Sequence, residues 1–252
     1  KKEILISTYI CHPSMANNEL SGPVIATYLA KYLKENQKKL YYSYRFIFIP
    51  ETIGAITYLS KNLNHLKKYV IGGYVITCAG DPGNFSYLKT KQENLLTDRI
   101  SMYVLKNTEK DYQIYDYFDR GSDERQYNSP GIDLNIGSLM RSKYHEYPEY
   151  HTSGDNLEFV TDSALKETLE KYIICLKVFE KNHCYLTKVK CEPHLTKYGL
   201  MNSLGDKNDK SYALYWHLLA YFDGKIDEVR FWSVARTENE IKAYKNVGLN
   251  GD

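Results

Sequence analysis

The strongest constraint on this chain is a rhythm. Short β-branched and aromatic runs stop at proline or glycine, and a stretch with helical spacing follows each of them. Glu3–Ile10 (EILISTYI) ends at Cys11-His12-Pro13, where proline cannot donate to a ladder. Ser21-Gly22-Pro23 then supplies a cap, a turn residue and a proline at the first helical position. Val24, Ile25, Tyr28, Leu29, Tyr32 and Leu33 follow at helical spacing. Tyr44–Ile49 (YRFIFI) ends at Pro50-Glu51 and leads into a helix containing Gly54, Ile56, Leu59 and Leu63. Tyr69–Thr77 (YVIGGYVIT) closes on Ala79-Gly80-Asp81-Pro82-Gly83. Strands alternating with helices predict an α/β fold with a mainly parallel sheet and helices on both faces. In such sheets ligands bind beyond the carboxyl ends of the strands.

Further along, Asn84–Arg99 reads as a polar loop, Ile100–Leu105 as a strand and Tyr112–Phe118 as a short helix. Ile132–Met140 reads as a strand, and Arg141–Asn156 as a polar loop rich in Tyr and His. A helix from Thr161 to about Lys181 carries Leu165, Leu169, Tyr172, Ile173, Leu176 and Phe179 on one face. A break near Cys184–Pro193 separates this part from a tail of different texture, in which 212–222, 226–235 and 238–247 have helical spacing. The expected organisation is one α/β domain over 1–185 and a small helical domain over 192–252. A chain of 252 residues has room for both.

Composition narrows the class. With 43% hydrophobic and 25% charged residues the chain belongs with soluble globular proteins. A net charge of +2 lacks the concentrated basic field of a nucleic-acid binder, so DNA or RNA is not expected as partner. No run reaches the roughly 18 to 20 apolar residues of a membrane span. The five cysteines form no CxxC pair and are odd in number, which fits buried thiols in a reducing compartment and predicts a cytoplasmic protein. The chain opens on Lys1 directly into a strand-like run, so a preceding segment or signal stays open. Tyrosine is in excess, 25 residues against 8 Phe and 2 Trp, which suits half-buried surfaces and interfaces, and a homo-oligomer is left open.

Each expected strand end carries a chemically capable residue. His12 follows the first, Glu51 the second, and Cys78 and Asp81 the third, with Asp123 and His151 in later loops. A histidine followed six and seven residues on by Asn18 and Glu19, then a Glu at the next strand end and a distant His, is a dispersed set of the kind metallohydrolases use. A metal lowers the pKa of a bound water and a nearby carboxylate takes its proton.

The stretches His12-Pro13-Ser14-Met15-Ala16-Asn17-Asn18-Glu19-Leu20-Ser21-Gly22, Pro50-Glu51-Thr52-Ile53-Gly54, Gly121-Ser122-Asp123 and Tyr150-His151-Thr152-Ser153-Gly154-Asp155-Asn156 resemble the M28-type zinc aminopeptidases. The resemblance is nearest to an aminopeptidase-like branch associated with bacterial polysaccharide biosynthesis, and it runs over about residues 3 to 180. It implies a three-layer α/β/α fold and a zinc-dependent hydrolase that cleaves an amide next to a free amino group in a small peptide or aminoacyl-type substrate. It also implies His12 and His151 as metal ligands, Glu51 as the base that activates water, and Asp123 as a substrate-positioning residue.

The chain departs from the family pattern at three places. Asn18 stands where the family has a metal-bridging Asp, Thr52 where a second Glu would bind metal, and Thr77-Cys78-Ala79-Gly80 where an Asp is usual. The expected arrangement is therefore one zinc ion held by His12, Glu19 and His151, with Cys78 or Asp81 as alternatives for the third ligand. Loss of the metal, leaving a peptidase fold used as a binding or assembly module, is the competing expectation. The resembling branch also carries a winged-helix-like module where this tail lies. Mixed charges at Arg236, Glu238, Glu240, Lys242 and Lys245 favour packing on protein over entering a DNA groove. The stretch Phe222–Trp232 looks like the closing strand of a laminin-G-like lectin but is too short to build that sandwich.

Overall fold

A computed structural model describes residues 1–12 and 14–182, with the backbone of 185–186 and 225–226. Six strands form one sheet: β1 (Glu3–Tyr9), β2 (Ser43–Ile49), β3 (Val70–Val75), β4 (Phe85–Leu88), β5 (Tyr112–Tyr115) and β6 (Ile136–Met140), in the order β2-β1-β3-β6-β4-β5. All neighbours are parallel except β4 and β6. The helices are α1 (Ser21–Glu35), α2 (Ile53–Tyr69), α3 (Leu96–Thr108), α4 (Glu124–Tyr127) and α5 (Asp162–Lys181).

The pleat of β1 explains the layers. Ile4 and Ile6 face a core built with α1, α3 and α5 through Ile25, Leu29, Ile100, Val104, Tyr172 and Phe179. Leu5 and Tyr9 face the opposite core, where Ala55 and Leu59 of α2 and Tyr127 of α4 pack with Ile47 and Ile136. The result is an α/β/α sandwich in which β1 and β3 are covered on both sides, which is why both read as nearly continuous apolar runs.

The tyrosine excess has a definite place in it. Tyr9, Tyr74, Tyr87, Tyr127, Tyr144 and Tyr172 are fully buried. Each hydroxyl is satisfied, for example Tyr74 with Ser101 at 3.0 Å, Tyr87 on Asp98 at 2.9 Å and Tyr127 with Ser7 at 2.8 Å. Much of the excess is core, held by pairing each hydroxyl, rather than surface.

Three expectations between 84 and 118 are corrected. The loop expected over Asn84–Arg99 contains β4 and the start of α3, Ile100–Leu105 is helical within α3, and the expected helix at Tyr112–Phe118 is β5 followed by a single 3₁₀ turn. The Ile100–Leu105 run is short and apolar, a pattern that fits either element. Its buried positions Thr97, Ile100, Ser101, Val104 and Leu105 repeat at three and four, and Asp98 closes the first turn by accepting the Leu95 N–H at 2.9 Å. Pairing with Phe85–Leu88 holds 112–115 extended.

A break near 184 and three tail helices were expected. Of this part only Tyr185–Leu186 and Lys225–Ile226 are described, paired as antiparallel strands. Ile226, expected to begin a helix, is therefore extended. The winged-helix-like module and the rest of 192–252 lie outside the described residues.

Candidate active site

The carboxyl ends of β1 and β2 meet at the site. β1 pairs with β2 through Tyr9 and Ile49, and the Ile10 N–H donates to the Ile49 carbonyl at 3.0 Å, so Cys11-His12 leaves the sheet beside Pro50-Glu51. The Glu51 N–H points at Cys11 Sγ, 3.2 Å away. One donor atom each from Cys11, His12 and Glu51 lies within 4.8 Å of the others. Thiolate, imidazole and carboxylate are all zinc donors, so the set fits such an ion.

Glu19 comes in behind His12. A π-helical turn over Ala16–Leu20 precedes α1, and Asp155 anchors it from far along the chain. Its carboxylate accepts the N–H groups of Asn17 at 2.5 Å and Asn18 at 3.0 Å, as an anion at a helix start should. This turn buries Glu19, whose Oε1 lies 2.6 Å from His12 Nδ1 and whose Oε2 accepts the Cys11 N–H at 2.9 Å. A buried carboxylate on one ring nitrogen fixes the orientation of the imidazole and leaves the other nitrogen as donor.

His151 lies against His12, with ring centroids 5.2 Å apart and planes inclined by 30°. Tyr150 stacks on His151 at 3.9 Å and meets Tyr147 edge-on at 5.6 Å. Tyr147 is stacked in turn on Phe159. The Tyr-rich loop therefore forms an aromatic wall behind the second histidine.

The loop before α4 holds Glu51 from the other side. Ser122 Oγ donates to Glu51 Oε1 at 2.6 Å, and Asp123 Oδ1 accepts the Thr52 N–H at 2.7 Å. Thr52 adopts φ 60° and ψ −65°, a conformation rare for a β-branched residue, and Arg125 donates to its hydroxyl at 2.9 Å. Strain of this kind persists only where surrounding contacts enforce it. Burial pushes the Asp123 carboxyl up to about 7, and the nearby Glu51 and Glu124 charges push the same way. Asp123 Oδ2 and Glu124 Oε2 are buried with no hydrogen-bond partner among the described residues.

The three departures from the family pattern are each absorbed structurally. The Asn18 amide donates to Tyr9 Oη at 3.2 Å, and Thr52 is occupied by Asp123 and Arg125. Cys78 is fully buried, and desolvation pushes its thiol up to about 12. Asp81 is taken by the Asn17 amide and by Ser142 Oγ. Of the expected ligands only His12 belongs to the donor group with Cys11 and Glu51; Glu19 and His151 lie beside His12 but outside that group, as do Cys78 and Asp81. Cys11 and Ser122 are the residues sequence reasoning passed over. The one available signal for Cys11 was its place between a strand end and His12.

The family described as a domain of unknown function, DUF4910, matches residues 1–182. The chain belongs to the DUF4910 family. A Clostridium acetobutylicum protein, provisionally named a polysaccharide biosynthesis protein with aminopeptidase-like domain, is 44% identical over 229 residues, which are 89% of this chain and 52% of that protein. A crystal structure of a provisionally described peptidase from the same organism superposes with TM-score 0.73 at 41% identity, over 89% of this chain and 50% of that one. This DUF4910 chain thus spans about half the length of those relatives. The zinc aminopeptidase BSAP from Bacillus subtilis superposes with TM-score 0.57 at 14% identity, over 71% of this chain and 46% of that one, a likeness of fold. The fold is that of the aminopeptidase-like proteins. No helix among the described residues is long and apolar enough to cross a membrane.

Proposed function

We propose that the chain is a zinc-dependent aminopeptidase-like hydrolase acting on an amide beside a free amino group, in a small peptide or aminoacyl-type substrate. One observation carries this reading: a thiol, an imidazole and a carboxylate gathered where β1 and β2 end, with a second histidine against the first. Cys11 and His12 of that donor set would hold a single ion, with His151, stacked on His12, as the further ligand drawn in when the ion binds; the third member, Glu51, would face the water, and Glu19, expected as a ligand, would orient His12 instead. A bound zinc supplies a water acidic enough to react near neutral pH and polarises a carbonyl. Glu51 takes the proton. Its Oε1 is tied to Ser122, which leaves Oε2 as the atom that receives it. Asp123 sets the backbone of Thr52 and thereby the reach of Glu51, which makes it a positioning residue.

Metal content of the purified protein and turnover of alanyl p-nitroanilide test this together. We expect about one zinc per chain, and a fall of about 10²–10⁴ in kcat/KM for Glu51→Gln with metal content kept. Protein that takes up no stoichiometric metal, or turnover indifferent to Glu51→Gln, overturns it.

A second reading is favoured by Asn18 and Thr52, which offer no second carboxylate and whose side chains are spent on internal hydrogen bonds. On that reading the fold is a binding or assembly module for polysaccharide production, the role suggested by the name of the Clostridium relative. It predicts no Glu51-dependent turnover of any amide.

A further inference from the structure

The sequence Arg120-Gly121-Ser122-Asp123-Glu124-Arg125 has two faces. Its centre grips Glu51 and Thr52, while Arg120 and Arg125 at its ends line a cavity of about 340 Å³ with Lys91, Tyr117 and Gln126. Three of the seven lining residues are cationic and none is acidic. Lys91 is paired with Asp133 at 2.8 Å. Neither arginine forms a contact ion pair with a carboxylate among the described residues, although the Arg125 charge is near enough to Asp123 to oppose the rise of its pKa. Arg120 spends one N–H on the Tyr117 carbonyl and stacks its guanidinium 4.5 Å from the Tyr117 ring centroid. Arg125 spends one on Thr52 Oγ1. A guanidinium has five N–H donors in a planar fork, and stacking orders that fork without using its edge. The stacked Arg120 fork, with the Arg125 guanidinium tethered to Thr52 beside it in the same concave wall, matches the geometry of a carboxylate or phosphate.

We infer that this cavity binds an oxyanion group, carboxylate or phosphate, carried by the molecule whose amide is cleaved. The assignment to the substrate rests on the hydrolase reading above; the anion site itself does not. Arg125 reaches from the cavity to the residue next to Glu51, so a ligand anchored there lies one side chain from the reactive carboxylate. The preferred substrate is then acidic, with its charge beside Arg120 and Arg125.

Calorimetric titration of the metal-free chain with inorganic pyrophosphate and, separately, with glutarate reads the site without any reaction. Saturable binding of at least one is expected, weakened about tenfold in Arg120→Gln, reduced also in Lys91→Gln, and falling as salt is raised. Lys177→Gln, a cation over Tyr32, serves as control and leaves binding unchanged. Absence of saturable binding by both anions, or equal binding in Arg120→Gln, overturns the inference. Turnover of aminoacyl anilides with a carboxylate, a phosphate or no charge then separates the sources. A lower KM for one anionic class, lost in Arg120→Gln with kcat kept, places the group on the substrate. Equal kcat/KM for all three, with pyrophosphate still bound, refutes that placement. Anion binding without turnover of any amide supports the site and counts against the hydrolase reading.

Discussion

At the residue scale the site is a set of carboxylates in unequal surroundings. Glu19 is buried against His12, Asp155 caps a helical turn, and Asp123 sits buried with a single N–H donor. Its carboxyl moves from an ordinary 3.8 to about 7. The sign follows directly. Below about pH 4 the group is protonated folded and unfolded, and it costs nothing. Between about pH 4 and 7 the unfolded chain gives up the proton while the folded one keeps it, so stability falls as pH rises, by at most about 4 kcal/mol, and levels off above. Metal-free Asp123→Asn should therefore be more stable than the parent at pH 8 and no more stable at pH 4, by urea denaturation. An equal gain at both pH values would show that the carboxyl is not held near 7.

At the scale of elements, one glycine decides whether the central strands can meet. A Cβ on Gly73 would stand 1.9 Å from the Leu5 carbonyl oxygen, a backbone atom in the β1 to β3 ladder that cannot swing away. Gly73→Ala is expected to cost more than about 3 kcal/mol or to prevent soluble folding. Gly131→Ala is the contrast. It has φ +84° and open space, so only the left-handed backbone penalty of about 1 kcal/mol applies. Chemical denaturation of the two variants side by side checks the difference, and similar losses would refute the clash. The same scale explains why 84–99 is not a loop. Asp98 accepts from Leu95 N–H, Thr90 N–H, Thr90 Oγ1 and Tyr87 Oη, tying α3 to the end of β4. Two of these partners lie eight or more residues away, outside any local window.

At the scale of the molecule, three helices widely separated in sequence cover one face of the sheet. Phe179, near the end of α5, packs edge-on to Tyr74 and is fully buried in the core shared with α1 and α3. Phe179→Ala should lower stability by about 3–5 kcal/mol through lost contacts and an unfilled cavity. It lies on the sheet face opposite α2 and α4, so zinc binding at the donor set proposed at the ends of β1 and β2 should be unchanged under conditions where the variant is folded. Denaturation and metal titration of the one variant measure both, and a loss below about 1 kcal/mol would mean that this face is loosely packed.

What the sequence determined by itself is the alternation of β1, α1, β2, α2, β3, β6 and α5, because period and punctuation are local properties. It also put His12 and Glu51 at strand ends, since Pro13 and Pro50 mark where pairing stops. Tertiary structure alone decided that 85–88 and 112–115 pair while 96–108 coils, because a short apolar run takes its form from its neighbours. It alone brought Cys11 Sγ to the Glu51 N–H, Glu19 to His12, and Ser122 Oγ to Glu51. Those meetings depend on strand order and on a folded turn held by Asp155, and neither is written in spacing along the chain.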